Sequence, residues 1–187
     1  VKALEDLKLT VYYLQNPKAF DDLYANLETV GKLTGRSAEA AKLNESLKAR
    51  YDSVVKKLAA AKDAPTVFYE IDATDPTKPY TSGPGTFIDL VIGLAGGKNI
   101  GAELKGAFAQ ISSEELVKQN PNLIVLGDAL YGVTAEAVAQ RPGWNALDAV
   151  KSKQIFAFDD NLISRPGPRL IDGLEQMAKL LHPELFK

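Results

Sequence analysis

Cysteine is missing from this 187-residue sequence, and histidine, tryptophan and methionine occur once each. Without cysteine there are no thiol nucleophiles, disulfides or thiolate metal sites, and oxidising and reducing compartments fit equally well. An excess of charge of one sign is missing too. The 22 basic and 24 acidic side chains leave a net charge of -2, so there is no field with which to hold a phosphate backbone or an anionic membrane, and nucleic acid is excluded as a partner. No apolar run approaches the roughly 20 residues needed to span a bilayer. Val1 to Leu7 lack the basic and then apolar layout of a signal peptide, so any leader or anchor is expected to lie outside these residues. Repeats and low-complexity tracts are likewise absent. The remaining composition, 45% hydrophobic and 25% charged, is that of a globular chain near the length of one ordinary domain.

Two patterns divide the chain near Pro65. Ahead of it, Leu9 to Leu14 reads as a strand closed by Asn16-Pro17. Phe20, Leu23, Tyr24, Leu27 and Val30 then recur at helical spacing behind Asp21 and Asp22, and Gly35 ends that helix. A longer helix is expected from about Ser37 to Ala61, with Leu43, Leu47, Tyr51, Val54 and Leu58 on one stripe. From Thr66 onward short β-rich runs alternate with helices, the mark of a parallel α/β layer. Strands are expected at Thr66 to Ile71, Leu123 to Leu126 and Ile155 to Phe158, with a short one near Asn99-Ile100. Thr86 with Asp89 and Ser112 with Glu115 have capping-box spacing, Thr134 suits an N-cap, and Pro168 suits a first helical turn. The lone N-terminal strand has two readings: it belongs to a second sheet whose other strands lie outside this sequence, or it adds to the edge of the one sheet.

Signatures of catalysis are few. Thr81-Ser82-Gly83-Pro84-Gly85-Thr86 is a glycine-rich loop entering a helix, but it lacks the lysine of a P-loop and the third glycine of a dinucleotide fingerprint. Ser82 has no nucleophile-elbow frame, and no histidine in the α/β part serves it as base. His182, between Leu181 and Pro183, reads as a solvated helix cap. Glu70, Asp72 and Asp75, and likewise Asp159-Asp160, read as ordinary solvated loops rather than cation sites. No metal site and no cofactor are called for. Three rich loops do share one location, after the C-terminal ends of strands, where open α/β sheets bind ligands. They carry Tyr80, Tyr131 and Arg165, and Phe108 is placed to join them. Aromatic rings with one guanidinium suit a large, planar ligand with carboxylate or amide rims.

At these loops six motifs stand in register: Tyr80-Thr81-Ser82-Gly83, Ile88 to Asn99, Phe108 to Glu115, Asn120 to Val125, Arg141-Pro142-Gly143-Trp144 and Ser164 to Arg169. Their order and spacing resemble the C-terminal lobe of the class III substrate-binding proteins of ABC importers, the vitamin B12, ferric siderophore and haem type. The resemblance implies a Rossmann-like C-terminal α/β lobe over residues 63–187, a long inter-lobe helix over 36–62 and a strand-plus-helix remnant of the N-terminal lobe over 1–35. It further implies a periplasmic or cell-surface protein that captures a cobalamin-like or ferric-siderophore ligand without catalysis. Tyr80, Phe108 and Arg165 fall where the B12-binding member sets an aromatic, a tryptophan and an arginine against its ligand, so Phe108 departs from that pattern. Glu114 falls where the class carries a carboxylate that docks on the permease, and Trp144 falls at a packing position. The rival readings are a hydrolase-like α/β enzyme using Ser82 or the acids near Asp72, and a self-associating module. In the latter, the exposed apolar face of the Phe20 to Leu33 helix makes a homodimer.

Overall fold

A computed structural model describes residues 2–187; Val1, the first residue of the expected remnant, lies outside the described residues. The chain divides into two compact units, with the division between Ser46 and Leu47.

The first unit holds α1 (Lys2–Asp6), α2 (Phe20–Leu33) and the beginning of α3 (Ser37–Leu58). Asp22 fixes the start of α2 by accepting from the backbone N–H groups of Lys18 and Ala19 at 2.9 and 3.2 Å. Gly35, at φ 71°, ends it. The expected strand at Leu9 to Leu14 does not add to the edge of the one sheet. Every strand among the described residues lies between Thr66 and Ala157, so within this chain the segment has no strand beside it to pair with. Leu9, Tyr12 and Tyr13 are exposed along it. The dimer reading also loses most of its surface, because Phe20, Leu23 and Tyr24 are buried and only Val30 and Leu33 of the α2 stripe are exposed.

The second unit is built on one sheet: β1 (Thr66–Asp72), β2 (Tyr80–Ser82), β3 (Lys98–Asn99), β4 (Phe108–Gln110), β5 (Leu123–Leu126) and β6 (Ile155–Ala157). Their order is β4-β2-β1-β5-β6, with β3 also beside β1. β1, β3, β5 and β6 are parallel, whereas β2 runs antiparallel to both β1 and β4. The helices are α4 (Phe87–Leu94), α5 (Ser113–Gln119), α6 (Ala135–Ala139), α7 (Asp148–Lys151) and α8 (Leu170–Leu181). Thr86, Ser112 and Thr134 each accept from a backbone N–H three residues on, as their spacing predicts. Phe68, Ile124 and Leu126 form one core with Leu116 of α5, Val138 of α6 and the loop residues Trp144 and Leu147. Arg50 of α3 bonds Asp172 and Glu175 of α8 at 2.6 and 2.7 Å, and those two carboxylates push its pKa above the ordinary arginine value.

His182 departs from its expected solvated position. It follows α8 but is 1% exposed, because α8 packs on α4 and its end meets the α4 terminus, where Nε2 lies 3.4 Å from the Gly96 carbonyl.

Candidate functional site

Two of the expected ligand residues sit on strands rather than loops. Tyr80 pairs with Gln110 and Ser82 with Phe108, which puts Tyr80 and Phe108 on the same face of the β2–β4 ladder as diagonal neighbours. Such positions lie roughly 7–8 Å apart, within reach of ring contact. The ladder continues past its ends through Ile111 N–H to Pro79 O at 3.0 Å and Gly83 N–H to Ala107 O at 2.8 Å. Gly83 is needed there, since a Cβ would lie 1.9 Å from the Gly106 carbonyl. Tyr80 is 43% and Phe108 61% exposed, so neither ring is taken up in the core. Arg165 is exposed in the loop between β6 and α8, and Tyr131 is exposed at the end of the turn after β5. These two come from separate loops at the sheet's C-terminal edge. Glu114 stands exposed in the first turn of α5.

The chemistry beneath this surface contradicts one sequence expectation. Glu70 is no solvated loop acid: it is fully buried on β1 and paired with both terminal nitrogens of Arg141, from Nη2 to Oε1 at 2.8 Å. Strand alternation explains the burial, because Glu70 shares its face with Phe68, two residues earlier, and both point into the Trp144 core. The Arg141 guanidinium lies 4.5 Å over the Trp144 ring, which meets Phe68 edge-on at 6.0 Å. Trp144 is thus a packing residue, fully buried. On the opposite face, the Tyr69 hydroxyl donates to Asp160 at 2.9 Å, so Asp160 is also more than a solvated acid. Burial, then the Asp160 charge, raises the Tyr69 pKa.

Asp128, which sequence reasoning did not single out, completes the arrangement. It lies two residues past β5 and is 4% exposed, with both carboxylate oxygens shut away from solvent beside the Glu70 carboxylate. Burial, the adjacent Glu70 charge and a proton it can share with Glu70 raise its pKa to about 7, while Arg141 opposes the shift. Asp128 lines a cavity of about 390 Å³ at the ends of β1 and β5, together with Ile71, Asp72, Ala73, Thr74, Tyr131 and Val133. The sequence signal for both acids is an ionisable residue at the end of an otherwise apolar strand run.

Asp72 and Asp75 do behave as loop acids, accepting from the N–H groups of Thr74 and Thr77 at 2.9 and 3.0 Å. The Thr77 hydrogen bonds hold the Asp75 carboxyl below its ordinary pKa. Ser82 is fully buried and hydrogen-bonded with the Thr86 hydroxyl, a position that withholds it from any substrate. Among the described residues, no group of three or more acids or histidines is placed to hold a metal ion, and no helix is long and apolar enough to cross a membrane.

A family model described as periplasmic binding protein matches residues 3–162. An uncharacterized ABC transporter substrate-binding lipoprotein of Bacillus subtilis is 34% identical over 189 residues, an alignment covering 100% of this chain and 58% of that protein. A cobalamin-binding protein of Halobacterium salinarum is 29% identical, with 97% of this chain and 50% of that protein covered. The chain spans about half the length of the curated relatives it matches. Among solved structures, a possible iron-binding (periplasmic solute-binding) protein from Staphylococcus epidermidis superposes with a TM-score of 0.81 at 26% identity, over 97% of this chain and 69% of that one.

Proposed function

The chain belongs to the periplasmic binding protein family, and from that premise we propose that it supplies one wall of a cleft in which an exported carrier protein delivers a metal chelate to an ABC importer. Catalysis has no part in this function. The exposed rings on the β2–β4 ladder carry the reading: Tyr80 and Phe108 stand on one face of it as diagonal neighbours, and Arg165 and Tyr131 are exposed in loops after other strands. The chelate class is a cobalamin or a ferric siderophore. The names borne by the Halobacterium and Staphylococcus relatives support it, and so does the suitability of rings plus a guanidinium for a broad ligand with polar edges. Glu114, exposed on α5, is the carboxylate offered to the permease. The second wall belongs to a further lobe, as the greater length of the relatives suggests.

Titration with cyanocobalamin and with ferrioxamine B tests this reading. In a protein carrying both walls, Tyr80→Ala and Arg165→Ala are each expected to weaken binding about tenfold, the usual cost of truncating a contact worth above 1 kcal/mol. The 187-residue chain alone should bind with a Kd above about 0.1 mM, because half the contacts are missing and the cost of association is not. Submicromolar binding by this chain would overturn the one-wall proposal. Glu114→Ala is expected to leave affinity within about twofold, as a residue outside the cleft should, while lowering uptake of the labelled chelate in cells. Loss of binding in that variant would instead place Glu114 in the cleft.

A further inference from the structure

We propose that Tyr69 is the positioning residue for Arg165: its buried hydroxyl holds the base of the Arg165 loop, from a ring seated under the turn that ends in Tyr131. The inference rests on the chelate-binding reading and deepens it, since Arg165 is the guanidinium of that reading. Tyr69 is fully buried in the middle of β1, yet the tip of its side chain touches residues that follow the ends of β5 and β6. The hydroxyl donates to Asp160 Oδ1 at 2.9 Å. Gly127, the residue after β5, lies against the same tip, because a Cβ there would stand 2.6 Å from both Cε1 and the hydroxyl oxygen of Tyr69. A larger residue at 127 would push the turn Gly127–Tyr131 off the ring. Phe158 fixes the ring in its turn, meeting it edge-on at 6.1 Å.

Asp160 opens the turn Asp160–Leu162, and its carbonyl accepts from the N–H groups of Ile163 at 3.1 Å and Ser164 at 2.9 Å. Arg165 is next in the chain. The Asp160 side chain thus ties this turn to β1, and its main chain ties the turn to the residue before Arg165. Packing alone does not call for the hydroxyl, since phenylalanine fills the ring's place and a buried phenol oxygen is costly without a partner. What the hydroxyl adds is the placement of a loop 91 residues away. An arginine side chain loses much rotamer freedom when it meets a ligand, and a loop base held still keeps the backbone from adding to that loss.

Tyr69→Phe keeps the ring and removes the hydroxyl. In the 187-residue chain, amide hydrogen exchange is expected to speed up about tenfold at Ile163 and Ser164, the worth of one hydrogen bond to a charged group, and to change less than about twofold at Ile124 in the core. In the protein carrying both walls, Arg165→Ala should cost about tenfold in chelate affinity when Tyr69 is present and about threefold or less in Tyr69→Phe. Asp160→Asn retains a side-chain oxygen as acceptor and should match the unmodified protein in both measurements, whereas Asp160→Ala should reproduce Tyr69→Phe. Unchanged exchange at Ile163 and Ser164, an equal rise at Ile124, or an Arg165→Ala cost that stays about tenfold in Tyr69→Phe overturns the proposal and leaves the chelate reading standing. If neither cyanocobalamin nor ferrioxamine B binds the two-walled protein, the chelate reading falls and the role of Tyr69 falls with it.

Discussion

Replacing Arg141 with methionine is expected to destabilise the second unit by about 3–5 kcal/mol, the cost of stranding a buried charge when its partner is removed. Glu70 is 0% and Arg141 11% exposed in the side chain, so solvent offers little compensation to the carboxylate that remains. The guanidinium also covers the Trp144 ring at 4.5 Å, and its loss removes that contact as well. Urea unfolding followed by far-UV circular dichroism measures the effect. The double variant Glu70→Met with Arg141→Met should recover at least about half of the loss, because an apolar pair of similar volume replaces two desolvated charges. A cost below about 1 kcal/mol for the single variant, the range of exposed ion pairs, would mean that the pair is solvated and does not brace β1.

The second large effect runs in the opposite direction. Asp128→Asn is expected to stabilise the protein by about 2–4 kcal/mol at pH 8.5 and to make little difference near pH 4. The Asp128 pKa is raised from 3.8 to about 7 on folding, so the folded state holds the proton more tightly than the unfolded chain does. Between these values the folded state binds more protons, and stability falls as pH rises from about 4 to about 7. Asparagine does not titrate, so the variant escapes that fall, and its amide N–H can also donate to Glu70. Unfolding midpoints at pH 4.5 and 8.5 should therefore diverge between the two proteins. Equal differences at the two pH values would show that Asp128 titrates as an ordinary carboxylate.

Local pattern made the parallel layer legible. β5 forms where its apolar run predicts, β1 and β6 differ by a residue at one end, and the caps at Thr86, Ser112 and Thr134 hold as spaced. Propensity and capping act over a few residues, which is the range a sequence displays. β2 and β4 were hidden because three residues carry too little alternation to signal a strand, and their stability comes from pairing across 26 to 30 positions, between Tyr80, Thr81 and Ser82 on one side and Gln110, Ala109 and Phe108 on the other. The segment Leu9 to Leu14 shows the converse: strand-like residues without a partner strand remain irregular. Glu70 reads as solvated in sequence because the cation that neutralises it, Arg141, lies 71 residues away. Asp128 is signalled in sequence only by its place after the apolar β5 run, since its desolvation is created by the way the turn after β5 packs against β1.

The β2–β4 ladder separates what holds it from what it displays. Thr81 is buried and its hydroxyl donates to the Tyr69 carbonyl at 2.8 Å, while Tyr80, Phe108 and Gln110 stand exposed on the other side. Mutation at the three outward positions leaves the backbone pairing and the inward anchor untouched. A lineage can therefore exchange one ring for another, or a ring for a polar side chain, without passing through an unfolded ancestor. Divergence of ligand preference within such a lineage needs no change of architecture, only drift at the outward positions of two short strands.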